Sequence, residues 1–140
     1  MRSAALICAT LALVSGCTGR SPSSRPDSPH AALDTFITAL KTGDSALVLT
    51  VYHSDRPDFT FTLPASIPIE SYRITKEIVL DAGAAKRRNQ TGVVPPAQPG
   101  DVELQVEERI AGKPEMYSYW LRSVGGRWRI YAHAAWNAPD

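Results

Sequence analysis

The sharpest alternation of apolar and polar positions lies in the last third of the chain. Val102, Leu104 and Val106 alternate with Glu103, Gln105 and Glu107, which predicts a strand buried on one face. Gly112-Lys113 and Gly125-Gly126 then read as hairpin turns that close a three-strand meander. With two-residue loops, Ala111 opposes Pro114 and Val124 opposes Arg127. Counting outward from the two turns separately, one face collects Val102, Leu104, Val106, Tyr117, Tyr119, Leu121, Trp128, Ile130 and Ala132, with Glu108 and Ser123 as exceptions near strand ends. A register set by one buried face requires that agreement. The opposite face then carries rows of Glu103, Arg122 and Arg129, of Gln105, Trp120 and Tyr131, and of Glu107, Ser118 and His133. Two large aromatics on an outer face mark a surface for a partner or a second copy of the chain, so Trp120, Arg122, Arg129, Tyr131 and His133 form the expected partner face.

Upstream, the period changes from two to that of a helix. Ser28 suits an N-cap and Pro29 a first turn, and Leu33, Phe36, Ile37 and Leu40 recur at helical spacing until Gly43 supplies a left-handed stop. Asp44 caps a second helix, with Leu47, Val48, Val51 and Tyr52 on its stripe, and the run from His53 to Pro57 ends it. Phe59, Phe61 and Leu63 alternate before Pro64 and Pro68 interrupt, which fits a short edge segment or an ordered loop. Ser71 to Asp81 predicts a first main strand, with Tyr72, Ile74, Ile78 and Leu80 on one parity and Lys76 interrupting them. Ala82 to Gly100 is polar, holds Pro95, Pro96 and Pro99, and reads as a long loop. The fold class is therefore α+β, with two N-terminal helices packed on a mainly antiparallel sheet of about four strands.

The amino terminus adds an address. Arg2, an apolar run from Ala4 to Val14 and the small residues of Val14-Ser15-Gly16-Cys17 follow the plan of a secretory signal. The run is about half the ~20 residues that cross a bilayer as a helix. Val14 to Cys17 resembles a lipobox, and that resemblance implies cleavage between Gly16 and Cys17 with lipid carried on the Cys17 sulfur. Residues 1–16 are then the signal peptide, residues 17–28 a flexible tether and residues 29–140 a single α+β domain. The polar, proline-bearing tether reaches roughly 30 Å at ~3.1 Å per residue. An exported protein so anchored faces the periplasm from the outer membrane of a Gram-negative cell, or sits on the outer face of the membrane in a Gram-positive one.

Composition narrows the chemistry. The other cysteine, Cys8, falls in the discarded signal, so the mature chain retains Cys17 alone and forms no internal disulfide. No Cys/His cluster offers a metal site, His30, His53 and His133 lie far apart in sequence, and no cofactor motif occurs. Loss of Arg2 reduces the 15 basic residues to 14, equal to the 14 acidic ones, which gives no electrostatic reason to expect nucleic acid. The one dense basic run, Lys86-Arg87-Arg88, fits a solvated loop or, less simply, a contact with anionic headgroups.

The order of two helices, a strand, a long connection and an antiparallel meander resembles the nuclear-transport-factor-2-like superfamily. It is most similar to small lipoproteins of unknown function with a proline-led helix, a Gly-Asp and a second helix, here Pro29 and Gly43-Asp44. A glycine-tryptophan-basic-isoleucine strand, here Gly126 to Ile130, follows in them. The resemblance implies a curved, cone-like sheet around the helices and a pocket at its open end, which Tyr117, Tyr119 and Trp128 would line. It marks no catalytic residue. An isomerase of this superfamily needs a carboxylate base opposite a tyrosine and a second acid; Glu108 opposes Tyr117 in the counted register, but reads as a solvated rim residue and has no second acid. The row Glu107, Ser118, His133 invites a hydrolytic triad, without a nucleophile elbow or oxyanion donors to support it. His53 near Asp55 reads as a loop contact. The expectation is a membrane-anchored envelope domain that binds a small apolar ligand or an envelope protein, or forms a homodimer. The alternative is a small pocket enzyme of isomerase-like or hydrolytic type.

Overall fold

Serine and proline start the first helix as their chemistry dictates. In the computed structural model, which describes residues 27–55, 60–63, 65–92 and 95–136, α1 spans Pro29–Thr42 and the Ser28 side chain accepts from the Ala31 N–H at 3.1 Å. Gly43 ends it at φ 70°, and Asp44 caps α2 (Ser45–Val51) by accepting from the Leu47 N–H at 2.9 Å. The chain then forms β1 (Ile69–Val79), α3 (Ala82–Asn89), β2 (Val102–Ile110), β3 (Lys113–Val124) and β4 (Arg127–Trp136). The four strands pair antiparallel in chain order. This α+β architecture agrees with the expected class at that level.

The helices α1 and α2 cover one face of the sheet. Leu33, Phe36, Ile37 and Leu40 of α1 and Val48 and Val51 of α2 pack on Val102, Leu104, Val106, Tyr119, Leu121 and Ile130 in the main core. At ~25 cal/mol per Å² of apolar surface, this burial is the principal force holding the helices on the sheet. After α2, the His53 N–H donates to the Ile130 carbonyl at 2.7 Å, and the Ile67 N–H donates to the Leu40 carbonyl at 2.9 Å. Phe61, Leu63 and Ile67 thereby pack on the core from an irregular segment.

Four expectations need correction. The first hairpin turns at Ala111-Gly112, with φ of 48° and 78°, and Ile110 pairs with Lys113. Its register is therefore displaced by two from the Ala111–Pro114 count, which leaves every side chain on its expected face. The second correction is an extra residue, Thr75, between the Ile74–Val106 and Lys76–Gln105 pairs of β1. Tyr72 and Ile74 pack toward α1, whereas Ile78 and Leu80 belong to the other face; Lys76, which broke the parity, marks the crossing.

A third correction lies in β4, where Leu121 pairs with Ile130 but Trp120 pairs with Ala132. Tyr131 is the extra residue, and beyond it the parity reverses, because a bulge adds one residue to a two-residue repeat. His133 therefore opposes Tyr119 and lies with Phe36 and Tyr52 on the helix side. The fourth correction is α3, formed inside the expected long loop. Asp81 caps it by accepting from the Ala84 N–H at 2.7 Å, and Lys86, Arg87 and Arg88 fall in its last turn, where the helix dipole favours cations. Its inward residue is Ala85, small enough to sit on the sheet, so no large apolar stripe announced it.

Candidate ligand pocket

Glu108 is the odd residue on the apolar parity of β2, and the structure buries it. The side chain is 2% exposed and accepts a hydrogen bond from the Tyr119 hydroxyl. It lines a cavity of about 190 Å³ between α1 and the sheet. Phe36 and Leu40 of α1 wall the cavity, Phe61, Leu63 and Ile67 close it from the irregular segment, and Ile69, Ile110, Tyr117, Tyr119 and His133 line it from the strands. The site is thus apolar and aromatic with one convergent carboxyl.

Each polar group in it is shaped by that setting. Burial raises the Glu108 carboxyl above the usual range and nearby Glu115 adds to the rise, while the bond from Tyr119 opposes it. Tyr119 is held strongly in its phenol form, by burial first and then by Glu108. Tyr117 is pushed up to about 12 by burial and by donating to Glu115 at 2.7 Å. His133 stacks on Tyr119 with ring centroids 5.9 Å apart, and burial lowers its pKa, so the ring stays neutral. One carboxyl, two phenols and a neutral imidazole meet an apolar cavity there, an arrangement suited to holding one polar group of an otherwise apolar molecule.

The rim reading of Glu108 is therefore corrected, and its pairing as well: its cross-strand partners are Tyr72 and Glu115, and its hydrogen bond comes from Tyr119 rather than Tyr117. Its place on the buried parity was the signal for this. Tyr117 and Tyr119 line the cavity. Trp128 packs on the main core and is not in the lining.

The expected partner face has a different character. Trp120 and Tyr131 are 6% and 2% exposed, in a second core with Leu80, Ala85 and Ala97, beneath α3 and the segment that follows it. Arg88 lies over the Trp120 ring at 5.5 Å and also pairs with buried Glu103, which accepts from Ser118 at 3.0 Å. Arg122 pairs across the strands with Arg129 and is clamped on Asp101, with Nε to Oδ1 at 2.8 Å and Nη2 to Oδ2 at 2.7 Å. Tyr131 donates to the same Oδ2 at 2.8 Å. Asp101 was not singled out from the sequence, because a lone acid after Pro-Gly reads as turn chemistry.

The triad row is dispersed: Glu107 pairs with Arg73, Ser118 bonds Glu103, and His133 lies on the other face. His53 meets Asp55 at 3.2 Å as a local pair. Among the described residues no three His, Cys, Asp or Glu side chains group as metal ligands, and no helix is long and apolar enough to cross a membrane. Gly16, Cys17 and the tether up to Pro26 lie outside the described residues. No protein-family profile, curated protein or solved structure matches the chain.

Proposed function

We propose that this chain is a bacterial envelope lipoprotein, cleaved before Cys17 and held on a membrane by its lipid, whose domain captures a small, mainly apolar ligand. The observation that carries the ligand reading is the aromatic cavity with hydrogen-bonded Glu108 and Tyr119 in its lining. The anchor reading rests on Arg2, the apolar run and Val14 to Cys17. A nuclear-transport-factor-2-like cone is part of the same proposal, supported by the order of the elements and by a cavity between α1 and the strands.

A second reading is favoured by one specific observation. A carboxyl raised by burial and held by a phenol has the properties of a general acid or base, as isomerase-like proton transfer needs. Turnover that tracks Glu108 and not the cavity-filling residues would select it over simple capture.

Two experiments test the leading reading. Cys17→Ser abolishes lipid labelling and releases the protein from membranes; retention of both would end the anchor proposal. In that soluble chain, 2-phenylethanol perturbs NMR resonances of Tyr119 and His133, and Ile67→Trp, which fills the cavity, removes the effect. Perturbation that survives Ile67→Trp, or none at all in the parent, refutes capture in this pocket.

A further inference from the structure

We infer that the cavity selects a primary amine on an apolar or aromatic body, with the ammonium seated against Glu108 and the rings of Tyr117 and Tyr119 beside it. This rests on the pocket reading above and names the ligand class that fits it.

The charges at the cavity all point one way. Glu108 lines the cavity, and its cross-strand partner Glu115 is held by Tyr117 at the exposed side. Among the described residues the lining contains no Lys or Arg, and His133, the one nitrogen base there, is kept neutral by burial. An anionic ligand would meet the Glu108 carboxyl and no cation. A cation meets a carboxylate able to accept a charge-assisted hydrogen bond from it, together with aromatic faces that attract it.

The buried carboxyl has a cost that such a ligand relieves. Burial disfavours a lone carboxylate at Glu108. An ammonium beside it offsets that penalty and favours the carboxylate, so any proton on Glu108 passes to solvent on binding and an ion pair remains, bonded by Tyr119. A neutral alcohol fills the same apolar space without that gain. At about 190 Å³ the cavity suits a single ring with a short chain rather than a sterol or acyl tail.

The test compares three probes of one shape, 2-phenylethylamine, 2-phenylethanol and phenylacetate, by NMR titration of the mature Cys17→Ser chain. The amine binds about tenfold tighter than the alcohol, and phenylacetate more weakly than either. Glu108→Gln brings the amine-to-alcohol ratio close to one; should that variant fail to fold, the ranking in the parent chain decides alone. If the alcohol or phenylacetate equals the amine, the amine inference is overturned while the pocket reading stands. If none of the three perturbs Tyr119 or His133, both fall.

Discussion

Asp101→Ala is the sharpest perturbation of the outer face. The side chain is 2% exposed and accepts four hydrogen bonds: two from Arg122, one from Tyr131 and one from the Gln98 N–H at 2.8 Å. Its main chain also joins the two ends of the α3 region, since the Leu80 N–H donates to its carbonyl at 2.8 Å. Removing one partner of a buried ion pair costs about 3–5 kcal/mol. Arg122 retains the Pro96 carbonyl at 2.7 Å and the Tyr131 ring at 4.6 Å, and its side chain is 16% exposed, which favours the lower end. We expect a loss of ~3 kcal/mol, large against the ~5–15 kcal/mol that typical domains possess. Urea denaturation of the Cys17→Ser chain, followed by circular dichroism at neutral pH, measures it. Arg122→Ala combined with Asp101→Ala then costs less than the sum of the singles by at least ~1 kcal/mol, because each removes the same clamp. A single-variant loss below ~1 kcal/mol, or full additivity, refutes a buried clamp over Tyr131.

Other outcomes follow from the same packing. Trp120→Ala destabilises by ~3–5 kcal/mol as a truncated core aromatic; a variant as stable as the parent in the same urea assay would return that ring to solvent. Gly43→Ala costs ~1–2 kcal/mol, because its φ of 70° disfavours a side chain and the new Cβ would meet the Ser66 nitrogen at 3.3 Å; an unchanged melting temperature contradicts this. Glu108, raised in the folded state, contributes stability that is lost as pH climbs from its ordinary 4.5 through its folded value. Glu108→Gln therefore flattens that decline in melting temperature, and an unchanged slope refutes the burial of the acid. His133, lowered in the folded state, has the opposite sign: its contribution is lost as pH falls from 6.5 toward its folded value, so His133→Phe weakens the acid-side decline.

Much of the candidate pocket was legible in the sequence once parity is followed without exception. Tyr117 and Tyr119 share the apolar parity of the meander, and so does Glu108; treating a hairpin-end acid as solvated hid the group that gives the site its chemistry. The remaining wall was not legible. Phe61, Leu63 and Ile67 come from a segment whose short alternation is broken by Pro64 and Pro68, and His133 joins them only because the chain gains a residue at Tyr131.

The local events are written in the order of residues. Ser28, Pro29, Gly43 and Asp44 define both helices through caps and a left-handed stop, and alternation defines the strands, because these choices depend on backbone preferences and neighbours a few residues away. The address at Cys17 is of the same local kind, written in a short motif and proposed from it alone. Packing of the whole sheet sets which face each end of a strand presents. The extra residues at Thr75 and Tyr131 are invisible in one strand, since a bulge exists only relative to its partner. It also decided that the second aromatic face is covered, because α3 contributes a small inward alanine and a cationic end whose value appears only against Trp120 and Glu103.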